Sequence, residues 1–330
     1  LYHVLLFSLA MSALILETIE AIHWPVVFYL FCTITVVILE PLSAPNNKLV
    51  PNSIKKIIQT FLAFGKTLPV KKNSNSLWVR YFTVPKRWFS HFYIVSASAG
   101  VCSCVLLCAV YAFKVTPPSV VLRALDLITT PTRASSGSSL CSIVSIVLLT
   151  VQCCARLYEC YRVSVFSATA VMNMLQYFVG FAHYIFAYTV LLAHTPALIT
   201  GSVNAGTAEV SFSSLEVARV AVAAAVFCAA FLLQRDTMRR LAALRDSDKS
   251  KSEYVMPSGG GFEFVSCPHM LAECIMYCAL SLMQPTVAWR IVLLFVLSNQ
   301  GHVALSNHRW YQSCFKDYPK HRTAIIPRLI

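Results

Sequence analysis

Two residues able to do chemistry, His269 and Glu273, lie four positions apart inside the apolar run Phe264–Met283. On a helix this spacing puts both side chains on one face. Ionisable groups at bilayer depth are costly, so their presence points to a functional site. The pair could ligate a metal, catalyse or hold a cofactor. It could also be an ion pair near a membrane surface, at a helix start marked by Pro268.

A second concentration of polar and aromatic residues occupies the tail of the chain, in Asn307–Tyr311 and Phe315–Arg322. Aromatic rings can stack on a base, and the interleaved cations can bind phosphate, so this pattern suits a phosphorylated ligand that carries a base. The same residue types also anchor helices at the membrane interface. The sequence alone leaves both interpretations open.

Two familiar kinds of ligand site are not supported. No GxGxxG motif joins a strand to a helix, and the triple glycine Gly259–Gly261 is weak support for any function, so no Rossmann domain is expected. The 13 cysteines lie mostly in apolar runs and show no CxxC pair or zinc-like spacing. We therefore expect neither a metal nor a disulfide framework, and any nucleotide must be held by helices and loops.

The elements that position these residues must be membrane helices. The chain of 330 residues is 57% hydrophobic and only 12% charged, with a mean hydropathy of +0.64. Backbone amides in hydrocarbon must be paired within helices. We therefore predict an all-α, polytopic transmembrane bundle of about seven to eight spans. The apolar runs lie near Leu1–Leu16, Trp24–Leu39, Phe89–Phe113, Leu140–Ala155, Ala168–His194, Leu215–Leu233, Phe264–Met283 and Val287–Ser306.

The basic residues give the orientation of the spans. Of the 27 Lys and Arg residues, all but five fall in alternate loops or in the tail. Because cytosolic loops collect Lys and Arg, both termini and the loops beside the site are expected in the cytosol. Basic residues beside spans contact lipid headgroups, so membrane lipids and not nucleic acid are the expected partners of the net charge of +13. Ile54–Phe64 has the pattern of an interfacial helix.

The motifs resemble those of a known family. Phe262–Glu273, Tyr311, Asp317–Arg322, Ala324 and Ile326-Pro327 resemble the carboxy-terminal domain of steroid 5-alpha-reductases in their spacing. Further stretches look like the polyprenol (polyprenal) reductase branch of that family, and the match runs from about Gly65 to the end of the chain. These stretches are Gly65-Lys66-Thr67, Val84–Tyr93, Arg156–Cys160, Val163–Ser167 and Asn299-Gln300.

The resemblance implies an NADPH-dependent enzyme of the endoplasmic reticulum membrane. It divides the chain into N-terminal spans with a basic interfacial segment (1–64) and a reductase membrane domain (65–330), whose part from about 156 binds NADPH. His269 and Val255 depart from the steroid reductases, which have Asn and Arg at these positions. The residues that the resemblance places around NADPH are Gln234, Arg245, Tyr254, His269, Glu273, His308, Tyr311 and Arg322.

The proton donor is not assigned by the resemblance. Steroid reductases polarise the substrate carbonyl with a Tyr and a Glu in the earlier helices, and Cys153 stands about where that Tyr would be. The candidate catalytic residues are instead Tyr158, Glu159, His91 and Tyr93.

The implied substrate is a polyprenoid lipid whose α-isoprene C=C bond is reduced, which would supply dolichol for protein N-glycosylation. Hydride adds to a C=C bond readily only when a conjugated carbonyl accepts the charge, so we expect the aldehyde polyprenal, rather than polyprenol, to react. Alternatives are a steroid or very-long-chain enoyl reductase, a methyltransferase that binds S-adenosylmethionine, and a membrane transporter.

Overall fold

The computed structural model describes residues 22–43, 47–62, 82–131, 138–166, 170–199, 213–246 and 255–329. These residues are overwhelmingly helical. The described helices, in chain order, are α1 (Trp24–Ser43), α2 (Asn52–Leu62), α3 (Phe89–Tyr111), α4 (Ser119–Ile128), α5 (Ser139–Arg162), α6 (Met174–Ala193), α7 (Ser214–Asp246), α8 (Pro268–Met283) and α9 (Val287–Cys314). Short 3-10 turns occupy Lys86–Trp88, Pro196–Leu198 and Gly260–Glu263.

The predicted helical membrane bundle is confirmed. Six of the described helices, α1, α3, α5, α6, α7 and α9, are long and apolar enough to cross a membrane, and α8 is a shorter apolar helix. The predicted span Leu1–Leu16 lies outside the described residues. One small sheet is present, in which β1 (Thr83–Pro85) pairs antiparallel with β2 (Val171–Asn173). β2 falls inside the predicted run Ala168–His194, because α6 begins only after Asn173, whose side chain accepts from the Leu175 N–H.

Helix packing is closest between α7 and α8, between α3 and α5, and between α1 and α9. In the centre, the rings of Tyr277 and Trp289 stack almost parallel at 5.9 Å. α3 approaches its neighbours at Gly100, where an added Cβ would lie 2.4 Å from the Tyr188 hydroxyl and 2.5 Å from Thr150 Oγ1. A glycine is therefore required for this contact between α3, α5 and α6.

Among the described residues, the basic side chains of Lys86, Arg87, Arg245 and Arg309 lie at one end of the bundle, which we call the basic end. The β1–β2 sheet lies there, and Arg309 at the end of α9 pairs with Glu40 of α1 at 3.0 Å. Arg245 of α7 donates to the Val165 carbonyl in the segment after α5. The amphipathic α2 lies at the same end, because its Leu62 carbonyl accepts a hydrogen bond from Gln176. Its bounds are close to those predicted for the interfacial helix, Ile54–Phe64.

Candidate active site

Glu273 is held within the bundle by two glutamine side chains. Gln234 Nε2 of α7 donates to Glu273 Oε2 of α8 and to the His269 carbonyl at 3.2 Å. Gln152 Nε2 of α5 donates to Gln234 Oε1 and lies 3.5 Å from Glu273 Oε2. The two glutamines are 3% and 4% exposed. These hydrogen bonds offset part of the cost of placing a carboxylate among apolar helices.

Glu273 is only partly buried in spite of its position between α7 and α8. The neighbouring Arg156 side chain is 11% exposed. Glu273 lies five residues into α8, about 8 Å along the axis from Pro268 at the rise of a helix. An acidic group at this depth can meet a ligand that enters from the basic end.

A second polar group adjoins the first and contains two of the predicted catalytic residues. Arg156 forms a salt bridge with Glu159, which is 2% exposed. Arg156 Nε is 3.4 Å from the Tyr93 hydroxyl, and its guanidinium carbon lies 5.4 Å from the centre of the Tyr93 ring. The charges of Arg156 and Glu273 are close enough to act on each other. Tyr93 and Glu159 are therefore brought together beside Glu273.

The other two predicted catalytic residues lie elsewhere. Tyr158 is 56% exposed on the outer face of α5, because successive helical residues point in different directions and Glu159 points inward. His91 Nδ1 is 3.0 Å from the Tyr177 hydroxyl, and its ring lies 5.4 Å from that of Trp88 near the basic end. The structure thus separates Tyr158 and His91 from the Glu273 group.

The tail forms a polar and aromatic cluster beside the start of α8. The rings of Tyr311 and Tyr318 stack at 6.0 Å with an interplanar angle of 8°. Ser266 Oγ is 2.6 Å from His308 Nδ1 and also contacts the Tyr318 hydroxyl. Burial raises the pKa of Tyr318, so this phenol stays protonated at neutral pH and can donate a hydrogen bond.

Two arginines complete this cluster. Arg322 is only 4% exposed, and its guanidinium lies 5.4 Å from the centre of the Tyr318 ring. Its Nη1 donates to the Pro257 carbonyl at 3.0 Å, while its buried Nε has no hydrogen-bond partner among the described residues. Arg245 is exposed, and the charges of both arginines act on the Tyr311 hydroxyl.

The predicted cofactor residues therefore form two groups joined by the start of α8. Gln234, His269 and Glu273 lie in the bundle, with the His269 side chain half-buried. Tyr254 is outside the described residues. No group of three or more His, Cys, Asp or Glu residues that could hold a metal occurs in the described part of the chain. The remaining predicted residues, Arg245, His308, Tyr311 and Arg322, lie in or beside the tail cluster.

Sequence reasoning missed Gln152 and misplaced Arg156. Arg156 was predicted to lie in a cytosolic loop, but it is inside α5, which continues to Arg162. α7 likewise runs far past the predicted end of its apolar run at Leu233, so Gln234 is a mid-helix residue. Gln152 is a polar amide within the predicted span Leu140–Ala155, and that isolated polarity at bilayer depth is the signal that could have identified it.

Comparison with known proteins gives the class. The sequence profile of the family described as 3-oxo-5-alpha-steroid 4-dehydrogenase matches residues 197–330, which contain α7, α8, α9 and the tail cluster. The matched region carries every described residue of the predicted cofactor site. With six described helices able to cross a membrane, this match defines the class as a multi-pass membrane oxidoreductase that acts on C=C bonds.

Similar proteins cover nearly the whole chain. The polyprenal reductase of Drosophila melanogaster is 33% identical over 303 residues, which cover 90% of this chain and 90% of that protein. The polyprenal reductase of Danio rerio is 34% identical over 84% of this chain and 89% of its own length. Polyprenal reductase 1 of Arabidopsis thaliana is 29% identical over 90% of this chain and 95% of its own length. The chain belongs to the steroid 5-alpha-reductase family, among its polyprenal reductases.

Proposed function

We propose that this protein reduces the α-isoprene C=C bond of polyprenal to give dolichal, with NADPH as the reductant. The reaction is one step in the conversion of polyprenol to dolichol, which supplies the lipid for protein N-glycosylation at the endoplasmic reticulum membrane. The single observation that carries the proposal is the Glu273–Gln234–Gln152 cluster beside Arg156 and Tyr93. It lies within the helix bundle of a chain that is similar to polyprenal reductases over most of its length.

The described residues fit NADPH. Arg322 and Arg245 provide cations for phosphate groups. The buried Arg322 Nε has no partner among the described residues, so its N–H can donate to a phosphate oxygen. The stacked Tyr311 and Tyr318 provide aromatic faces. Glu273 holds acceptor atoms deeper in the bundle, where the nicotinamide would lie. When bound, NADPH supplies a hydride for the β carbon of the unsaturated aldehyde.

The chain itself must supply a proton and stabilise charge at the aldehyde oxygen. Among the four predicted catalytic residues, Tyr93 is best supported as the acid, because its hydroxyl lies beside the Arg156 guanidinium. A positive charge there stabilises the phenolate that forms as the proton leaves. Glu159 keeps Arg156 in place through their salt bridge. Tyr158 faces outward and His91 contacts Tyr177, so neither has the support that the Arg156 contact gives Tyr93.

The membrane setting matches the two reactants. The isoprenoid tail can stay among the lipids while its aldehyde enters between the helices. NADPH comes from water, and the cations at the basic end can attract it. We place that end, both termini and the site loops on the cytosolic side, with membrane lipids as the surrounding partners and no metal or nucleic acid required. Residues 1–64 then form an N-terminal addition to the reductase domain 65–330.

The proposal is tested with the purified full chain in lipid nanodiscs. Polyprenal, polyprenol, an enone steroid and a very-long-chain enoyl thioester are each offered with NADPH or NADH, and products are identified by mass spectrometry. We expect dolichal from polyprenal with NADPH and no product from polyprenol. Reduction of polyprenol by the purified protein would overturn the aldehyde requirement. Preferred reduction of the steroid would favour the activity named in the family description.

A further inference from the structure

Gln152 holds an acceptor that nothing in the described protein uses. Its Oε1 is buried and has no hydrogen-bond partner among the described residues. Leaving a buried carbonyl unpaired is costly, so such an atom points to a partner that binds there. The atom lies on α5, outside the segment 197–330 that matches the family profile.

The direction of the hydrogen bonds fixes which atom of Gln152 is unpaired. The Glu273 carboxylate and the His269 carbonyl can only accept, so the Gln234 amide must present its NH2 group to them. Gln234 therefore presents its oxygen to Gln152, and Gln152 must donate to that oxygen from its own NH2 group. The remaining Gln152 atom is an oxygen, and it can only accept.

An acceptor selects among the groups of the two reactants. The aldehyde oxygen of polyprenal is itself an acceptor, so Gln152 Oε1 cannot bind it. The nicotinamide carboxamide carries an NH2 group with two hydrogens. Both glutamine contacts to Glu273 use the same carboxylate oxygen, Oε2, and Glu273 is partly exposed. Gln152 Nε2 lies 3.5 Å from Glu273 Oε2, so a donor group with two hydrogens beside this pair can reach an acceptor on each residue.

We propose that Gln152 and Glu273 together accept the two N–H bonds of the nicotinamide carboxamide, so that Gln152 is a binding residue for the reactive end of the cofactor. This inference rests on the proposed function. It adds a residue of α5 to a cofactor site otherwise built from α7, α8 and the tail, and it places the nicotinamide next to Arg156, four residues further along the same helix.

The test uses a cofactor that lacks only the donor. The reduced acetylpyridine analogue of NADPH has a methyl group in place of the carboxamide NH2 and keeps the carbonyl. Dissociation constants for NADPH and for the analogue are measured by isothermal titration calorimetry on the full chain in nanodiscs. The proteins compared are the wild type, Gln152→Met and the control Gln284→Met, which removes a buried glutamine that contacts Ser145 near the start of α5.

We expect Gln152→Met to weaken NADPH binding by about five-fold, the value of one hydrogen bond, and to leave the Kd of the analogue unchanged. Gln284→Met should change neither. Equal weakening of both ligands by Gln152→Met, or of neither, would overturn the inference, since the first indicates a purely structural residue. Equal binding of both ligands by the wild type would overturn it without any variant. A wild type that binds neither ligand would refute the proposed cofactor itself.

Discussion

A carboxylate is tolerated between apolar helices when donors reach it, and at Glu273 the donors are amides. Gln234 and Gln152 satisfy part of its hydrogen-bonding capacity without neutralising its charge. The carboxylate keeps acceptor capacity for a ligand. By contrast, the Glu159 carboxylate is engaged in a salt bridge with Arg156. The two acids, on neighbouring helices, thus differ in their partners: amides at Glu273 and a guanidinium at Glu159.

Tyr93→Phe tests the acid. Removing the hydroxyl beside Arg156 removes the proton, so kcat should fall by about 100-fold, the lower range for general acid catalysis, while the Kd for NADPH stays the same. The measurement is dolichal formation from polyprenal, with NADPH binding measured separately. Tyr158→Phe is the matched control on the outer face of α5 and should retain wild-type kcat. A larger loss in Tyr158→Phe than in Tyr93→Phe would contradict the assignment.

Arg156→Met tests the buried salt bridge. It leaves Glu159 charged and buried without its cation, so the free energy of unfolding should fall by about 3 kcal/mol, while the double variant Arg156→Met, Glu159→Met should recover much of that loss. Stability is measured by denaturant or thermal unfolding in nanodiscs. Arg240→Met breaks the exposed pair with Asp236 and should produce no measurable change. Equal destabilisation in both single variants would contradict this account.

At the scale of helices, hydropathy predicted which segments cross the membrane but not where several of them end. Apolar composition marks only the part of a helix that meets lipid. α7 extends from Ser214 to Asp246, so its polar final turns carry no hydropathy signal. The same reason put Arg156 outside α5, although the helix continues to Arg162. The Asn173 cap, which starts α6 after β2, is a local hydrogen bond that an apolar average cannot reveal.

Gly100→Ala tests the packing of α3 on α5 and α6. The added methyl group meets the Tyr188 hydroxyl and Thr150, so we expect a loss of about 1–3 kcal/mol in the free energy of unfolding. Gly301→Ala on α9 is the control, since an added Cβ there meets nothing within 4 Å, and it should be neutral or slightly stabilising. The two variants are compared by thermal unfolding. Equal stability of both would show that the close helix contact is absent.

His23 gives the end opposite the basic end a dependence on pH. Its ring stacks on that of His194 at 6.3 Å, and burial, together with the His194 charge, lowers the pKa of His23 from 6.5 to about 4. The folded protein then binds fewer protons than the unfolded chain between these values, so stability falls as the pH drops through this window. The melting temperature should decrease from about pH 7 to about pH 5, and less so in His23→Gln. An equal decrease in both proteins would contradict the prediction.

For the molecule as a whole, the sequence singled out the two groups of residues from which the proposed site is built. Glu273 stood out because a charged residue in an apolar run is costly, and the tail because its cations alternate with aromatic residues. Their joining at the start of α8 could not be predicted from composition. It depends on the chain turning back at Ser266, which contacts His308, Tyr318 and the Thr323 carbonyl. The positions of Gln152 and Tyr93 beside the Glu273 group depend on how the helices pair, which no local sequence pattern encodes.

The arrangement explains why a lipid-embedded bundle suits this chemistry. Cations and aromatic rings lie at the basic end, and the acceptors of Glu273 and Gln152 lie deeper, with Tyr93 and Arg156 beside them. A water-borne cofactor and a membrane-borne aldehyde can therefore meet inside one protein from different sides. We propose that hydride passes directly from the cofactor to the polyprenal head group at this meeting point.

The most direct test is isotope transfer in a single turnover. The purified chain in nanodiscs is mixed with polyprenal and with NADPH that carries deuterium at the transferable position, and the product is analysed by mass spectrometry and NMR. We expect one deuterium on the β carbon of dolichal and a solvent-derived proton on the α carbon. Dolichal without deuterium, or deuterium on the aldehyde carbon of an unreduced polyprenoid, would contradict this proposal.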